Sequence, residues 1–416
     1  MINFFCFKVK YNYYEQGWRF LLIITHSHFA PFTNSHNNGG KMLKLLFFGC
    51  GTGDNQLLLQ AAENLHEESC FIAVTSYLSY ELNRKEETFT QALGNIPSAD
   101  LIIINLHRSV SYFREFPRIL EIIESKKIPV FLMSTIEEEM DEYRRLFSFS
   151  DPDYHQVYSY LHLGGLQNMR SLLLWTYVRI GGGDLSIPKP VKPSTHGIHH
   201  PGWYPGIQIA EYRMFIPKKS LKAGILFSQS LYLCKSLTVV DMLISSLENE
   251  DFDTIPVYCS FAPDSIRGSP GIVDIIRHYF MDENKATIDV LIVMMELSQV
   301  SINDLESKLT GMQQDNLFSE LGVPVLQIYT TNQSYEEWEV NISGLSSLEI
   351  SSHDVWQEYN EQIITVPVAS HEQEENSRKI RGLEEYAEKI AKMAKAWAIL
   401  RNTPVHERQF AKFLKT

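Results

Sequence analysis

The chain has 416 residues, 44% of them apolar, enough for about two to three ordinary domains with real cores and too apolar for a disordered segment. Its formal charge of −13, from 37 Lys and Arg against 50 Asp and Glu, is spread along the chain with no basic stripe, so no nucleic-acid or anionic-membrane partner is expected. Five cysteines (Cys6, Cys50, Cys70, Cys234, Cys259) lie far apart without a C-x-x-C, which points to a reducing, cytoplasmic setting rather than a disulfide framework or a zinc knuckle.

Residues 1–41 are crowded with aromatics, Phe4 to Trp18, and follow neither helical nor alternating period nor the layout of a signal peptide. Gly39-Gly40-Lys41 can be encoded by purine-rich codons like those preceding a bacterial start. The native protein is therefore expected to begin at Met42, with 1–41 a non-native or disordered extension. From Met42 the pattern reads strand (Leu43–Phe48), glycine loop, helix (Gln56–Leu65), strands at Cys70–Thr75 and Asp100–Leu106, an amphipathic helix at Phe113–Ser125 and a strand at Ile128–Met133. Apolar strands alternating with helices predict a parallel sheet covered on both faces.

Residues 136–215 turn helical and then Pro/Gly-rich, from Gly164-Gly165 through Pro188, Pro190, Pro193 and Pro201 to Pro205, and read as a connector. Alternation resumes with strands at Lys222–Phe227, Thr254–Tyr258, Ile288–Met294 and Val323–Tyr329. Helices at Thr238–Glu248, Gly271–Tyr279 and Asp304–Leu317 separate them, which predicts a second doubly wound unit. A strand at Ile363–Val368 and a helix from about Glu372 to Leu400 follow. The fold class is thus α/β, two doubly wound parallel-sheet (Rossmann/flavodoxin-like) domains. The layout is an extension 1–41, a first α/β domain 42–135, a helical connector with a His-rich loop 136–215, a second α/β domain 216–345, and 346–416 leading into a truncated next domain. No apolar run approaches the roughly 20 residues that cross a bilayer.

The loop Gly49-x-Gly51-x-Gly53 precedes a helix, where glycines would admit a phosphate. The third glycine of a dinucleotide fingerprint falls on Asp54, a charge that repels pyrophosphate and suits helix capping, so the loop reads as a plain turn. G-x-x-x-x-G-K-[ST], H-E-x-x-H and G-x-S-x-G are all absent, and the later four cysteines sit in or beside apolar segments as inert thiols. Thr195-His196-Gly197-Ile198-His199-His200-Pro201-Gly202-Trp203-Tyr204-Pro205 offers three imidazoles able to ligate a transition metal or move protons, or else forms a surface loop. Adjacent histidines in an extended loop point to opposite sides, so two of the three at most share a site.

The order of several segments resembles the CobN family, the large subunit of cobaltochelatase, together with the related magnesium chelatase large (H) subunit. These segments are Tyr160 to Asn168, Gly197-Ile-His-His200-Pro201, Ala223 to Ser230, Val240 to Glu248, Thr254 to Val257, Leu321 to Gln327, Glu336-Glu337-Trp338 and Ile363 to Val368. The resemblance implies a subunit that binds a tetrapyrrole while Co²⁺ (or Mg²⁺) is inserted as substrate, with ATP used by separate AAA+ ATPase subunits and not by this chain. Insertion removes two ring protons and strips water from the metal, which calls for a base and exchangeable ligands. His200, matching the motif histidine, is implied as catalytic residue and metal ligand. Glu358 is implied as catalytic, and His199, Pro201 and Glu248 as tetrapyrrole-binding; a Glu at a helix C-terminus also occurs simply as a solvated residue.

Two departures lower the expected activity. Gln357-Glu358-Tyr359-Asn360-Glu361 lacks one carboxylate and the glycine of the family's stretch before its Ile-Thr-Val-Pro strand. The family chain is also considerably longer, and the tail from Arg408 sits where the family starts another strand. The chain is expected to be an N-terminal fragment, inactive alone. Alternatives are a non-catalytic module for a small ligand, bound in a cleft at strand C-terminal ends, or for subunit assembly, and a magnesium chelatase H-like fragment.

Overall fold

The computed structural model describes residues 42–49, 51–68, 70–83, 85–106, 109–113, 115–134, 136–260, 263–295, 318, 321–341, 344–345, 349–350, 362–374 and 377–409. These belong to one compact unit, Met42–Thr416. Strand β1 (Leu43–Gly49) is buried at every position but Lys44, the pattern of a strand covered on both faces. Helix α1 (Thr52–Glu67) follows the glycine loop and returns the chain to β2 (Ile72–Leu78), parallel to β1. Short α2 (Ser79–Leu82) and α3 (Glu86–Asn95) lead to β3 (Leu101–Asn105), and α4 (Phe116–Lys126) to β4 (Val130–Met133). The sheet order is β2-β1-β3-β4, all parallel, so the chain reverses direction across the sheet between β1 and β3.

Alternation within the strands divides the core. Leu43, Leu45 and Phe47 point to one face, where they meet Leu57, Leu58 and Ala61 of α1. Leu46 and Phe48 point to the other, against Phe89 of α3 and Ile119 and Ile123 of α4. Asp54 lies in the first turn of α1, as the helix dipole favours, and its Oδ2 also accepts from Asn105 Nδ2 at 3.1 Å.

After α5 (Glu137–Tyr143), two helices cover the α1 face: α6 (Asp151–Leu163) and α7 (Leu166–Arg179), which bury Tyr160, Leu172 and Trp175 there. The turn between them is Gly164-Gly165, at φ 66° and 83°, angles an L side chain resists. Residues 182–194 then run without helix or strand toward β5 (Gly197–Ile198). The connector therefore ends as an edge strand of the second sheet, a role its Pro/Gly content did not suggest.

Helix α8 (Ile209–Phe215) leads into β6 (Leu221–Ser228), α9 (Gln229–Leu233), α10 (Thr238–Asn249), β7 (Phe252–Cys259) and α11 (Ile272–Phe280). A small hairpin, β8 (Met281–Asp282) and β9 (Lys285–Ala286), precedes β10 (Val290–Met294); then come β11 (Val325–Ser334), α12 (Tyr335–Val340), β12 (Ile363–Glu374), β13 (Ser377–Gly382) and α13 (Glu384–Asn402). The second sheet is ordered β13-β12-β11-β10-β6-β7-β5, parallel through its five central strands and antiparallel at both edges. Helices α10 and α13 cover one face, with Leu243, Ile244, Ile390 and Ala394 in its core. Tyr212 of α8 and Ile275, Ile276 and Phe280 of α11 pack on the other.

The helix expected from Glu372 starts later. Residues up to Glu374 extend β12, and Ser377–Gly382 return antiparallel to it before α13 begins at Glu384. Pairing overrides the helix-favouring composition, and Gly382 permits the close approach: a Cβ there would lie 2.9 Å from Met242 Sδ on α10. The helix expected at Asp304–Leu317 and the strand expected near Phe410 lie outside the described residues. Among those described, no helix is long and apolar enough to cross a membrane.

Candidate functional site

The His-rich loop is held from below by residues of the Tyr160–Asn168 segment. Asn168, buried in α7, donates through Nδ2 to the carbonyls of Gly164 and Val191, both at 2.7 Å, and accepts the Val191 N–H at 2.9 Å. Its carboxamide thus pairs with Val191 as a neighbouring strand would. Tyr160, fully buried on α6, donates its hydroxyl to the Pro188 carbonyl. The connector is gripped at two points, Pro188 and Val191, with Pro190 between them. It then enters the sheet, with Gly197 and Ile198 opposite Tyr258 and Val257, and the His199 N–H donates to the Pro256 carbonyl at 3.0 Å.

His199 and His200, two of the three imidazoles, both reach α10. His199 Nε2 lies 2.7 Å from Asp241 Oδ1, and His200 Nε2 lies 2.9 Å from Glu248 Oε1. Asp241 and Glu248 are seven residues apart, two turns of one helical stripe, so divergent side chains meet the same helix about 10 Å apart along its axis. The chain turns at Pro201-Gly202, closed by Trp203 N–H to the His200 carbonyl at 3.0 Å, and the Gly202 N–H donates to His200 Nδ1 at 3.0 Å. Nδ1 accepts, so Nε2 carries the proton and donates to Glu248. Pro201 is exposed and shapes this turn.

Glu248 also accepts from Thr254 Oγ1 at 3.2 Å, and Tyr212 OH donates to the Thr254 carbonyl at 2.9 Å beneath the His200 ring. The hydrogen bond from His200 is the main reason the Glu248 carboxyl sits below the ordinary carboxylate range. Thr254 and the nearby Lys219 act the same way, while partial burial opposes them. Burial pushes the Tyr212 phenol far above its usual range, which keeps it a neutral donor. His199 stands edge-on to Phe227 and Tyr232, and among the described residues its Nδ1 has no hydrogen-bond partner. His196 turns away, its Nδ1 2.9 Å from Tyr279 OH, and burial followed by the neighbouring His278 lowers its pKa.

His199, His200, Pro201 and Glu248 are therefore brought together, whereas Glu358 lies outside the described residues. Both nitrogens of His200 are engaged, and among the described residues no group of three or more His, Cys, Asp and Glu is placed to hold a metal ion. The exchangeable donors left are Glu248, whose side chain is 40% exposed, and His199 Nδ1. Asp241 was missed, although two carboxylates seven apart on an apolar helix are visible in Val240–Glu248; Thr254 and Tyr212 carried no such signal. The Glu248 end of the site stands apart from the strand C-terminal ends, because Thr254 is the third residue of β7 and precedes Cys259 by five residues, about 16 Å along the strand, whereas His199 lies against Phe227 near the C-terminal end of β6. Burial drives the Cys234 and Cys259 thiols up to about 12 and raises that of Cys70, as inert thiols require; Cys50 lies outside the described residues.

Residues 158–415 match the family described as CobN/Magnesium Chelatase, and the chain belongs to that family. Two uncharacterized proteins of Methanocaldococcus jannaschii are similar, one 23% identical over 86% of this chain and 29% of its own length, the other 27% identical over 61% and 20%. The aerobic cobaltochelatase subunit CobN of a Sinorhizobium species is 22% identical over 85% of this chain and 28% of its own length. The catalytic subunit of cobaltochelatase from Mycobacterium tuberculosis shares the fold, with a TM-score of 0.56 at 16% identity over 87% of this chain and 28% of that one. The chain thus spans less than a third of the length of these relatives.

Proposed function

We propose that this chain supplies part of the tetrapyrrole site of a cobaltochelatase-like subunit acting in the cytoplasm in cobalamin biosynthesis. In this reading Co²⁺ (or Mg²⁺) is substrate, and ATP is spent by AAA+ partner chains. The observation that carries it is the His200–Glu248 pair, whose two members sit 48 residues apart inside the span matching the family and meet in one hydrogen bond. Glu248 is the group we assign to take ring N–H protons or exchange with metal-bound water, because its carboxylate is ionised and partly exposed. His200 acts as its positioning residue, His199 as a second contact to the ring, and Glu358 as a further catalytic carboxylate. We place the first α/β domain from β1 through the covering helix α7 and the second from β5 through α13, in place of the expected 42–135 and 216–345.

The test is an absorbance titration of the chain with a hydrogenobyrinic-acid-type ring. Binding that weakens in both His200→Ala and Glu248→Gln supports the reading. No ring binding by the unaltered chain sinks it and leaves a module for a small ligand or for subunit assembly.

A further inference from the structure

A second cluster of charged groups, away from the His200–Glu248 pair, bridges the two α/β domains. Arg267, in the loop between β7 and α11, donates through Nε at 2.7 Å, and also through Nη2, to the carbonyl of His162 in the last turn of α6. Asp264 of the same loop lies 3.1 Å through Oδ2 from His162 Nε2 and 3.6 Å from Arg267 Nε. Its Oδ1 accepts the Ile266 and Arg267 N–H groups, both at 2.9 Å, so the loop is folded around the carboxylate that reaches across. Tyr158, one turn back on α6, stacks on the His162 ring, with its hydroxyl 3.4 Å from Nδ1. The last carbonyls of a helix have no partner within it. Here the other domain supplies the partner, and it is a cation, the charge a helix C-terminus favours.

The boundary between the domains is close-fitting. Cys234, the residue after α9 in the second domain, packs against the apolar core that β1, α1 and α7 build in the first. A Cβ at Gly53, in the first turn of α1, would lie 2.6 Å from Cys234 Sγ, and one at Gly165 would lie 3.8 Å from Leu233 Cδ2. Because α1 follows β1 and α9 follows β6, this contact sets the C-terminal end of one parallel sheet against that of the other, the ends at which doubly wound domains open their crevices. Among the described residues one stretch of chain, after α7, joins the two domains. Val191 is fixed to the first by Asn168, and Ser194 to the second by Gln229 and Tyr258, which leaves Lys192 and Pro193 between the two anchorages. Domains joined by so short a hinge move against each other unless a contact holds them.

We propose that Arg267 and Asp264 form a latch on the C-terminal end of α6, holding the two α/β domains closed about a hinge at Lys192-Pro193, and that its release uncovers Cys234 and the strand ends behind it. The latch is independent of ring binding. Cys234 reports its state because it lies at the boundary, whereas Cys70 and Cys259 lie inside the core of one domain each and react only when that domain unfolds. Labelling of the full chain with a maleimide, each modified cysteine being identified by peptide mass, follows the open population. In the unaltered chain Cys234 is expected to react several-fold faster than Cys70 and Cys259. Arg267→Ala is expected to speed Cys234 alone by about tenfold or more, the change that loss of a charge-assisted hydrogen bond brings, and His162→Gln, which spares the bond to the main-chain carbonyl, by only a few-fold. Equal rates at all three cysteines in the unaltered chain, or an unchanged Cys234 rate in Arg267→Ala, overturn the latch. Should Arg267→Ala fail to fold, His162→Gln decides: Cys234 speeded alone supports the latch, and no change overturns it.

Discussion

Asn168→Ala removes the clamp on the connector. The carboxamide makes three hydrogen bonds to main chain, two to Val191 and one to Gly164, and it is 2% exposed, so no water replaces the lost groups on the α7 side. Each bond is worth about 0.5–1.5 kcal/mol net, and Val191, 40% exposed, recovers part of its share from solvent. The expected cost is about 2–4 kcal/mol, near a hundredfold in the folded-to-unfolded ratio. Asn168→Asp should cost at least as much, because it keeps the acceptor for the Val191 N–H but sets a carboxylate against two carbonyl oxygens. Urea unfolding followed by tryptophan fluorescence reads both variants. Since the clamp lies upstream of β5, the ring titration of Asn168→Ala should also weaken. A loss below about 1 kcal/mol in Asn168→Ala, or a harmless Asn168→Asp, would refute the clamp.

Two further outcomes are expected. A double-mutant cycle of His200→Ala and Glu248→Gln in urea unfolding should give a coupling of about 1 kcal/mol, a charge-assisted bond discounted for the exposure of Glu248; additive losses would deny the pair. The second concerns His162, whose Nε2 lies 3.1 Å from Asp264 Oδ2, while Arg267 donates to the His162 carbonyl and Tyr158 stacks on the ring. Burial first, then the Arg267 charge, lower the His162 pKa against the pull of Asp264. The unfolded chain therefore takes up a proton from about pH 6.5 downward, before the folded one does, and stability falls with pH in that window by at most about 1.4 kcal/mol per unit. Urea midpoints between pH 7.5 and 5.5 should fall more steeply for the unaltered chain than for His162→Gln, and parallel slopes would exclude His162 as the source.

What could be read in advance follows from how far apart the interacting residues lie. The strands Leu43–Gly49 and Leu101–Asn105 announce themselves because burial on both faces demands consecutive apolar residues, here Leu45 to Phe48 and Leu101 to Ile104, a local property. The end of β12 and all of β13 were hidden because Arg378, Lys379 and their acidic neighbours favour a helix locally, and only pairing with residues 369–374 and the contact of Gly382 with Met242 make them strands. The site was half legible. His200 and Glu248 could each be singled out by motif, but the hydrogen bond between them, and the one from His199 to Asp241, depend on β5 joining the sheet edge beside α10.

That same placement orders the roles within the pair. If His200 were to act as base or ligand, Nδ1 would have to surrender the Gly202 N–H, or Nε2 would have to leave Glu248, and either change disturbs the Pro201-Gly202 turn or leaves the carboxylate without its partner. Glu248 faces no such conflict, because the bonds from His200 and Thr254 converge on Oε1 and the side chain remains partly exposed. The Gly-x-His-His-Pro segment fixes a carboxylate: the edge strand sets the height, the turn sets the tautomer, and the imidazole donates a hydrogen bond to Glu248. A group fixed in this way needs little rearrangement when a proton arrives, which is what the proposed reading asks of Glu248.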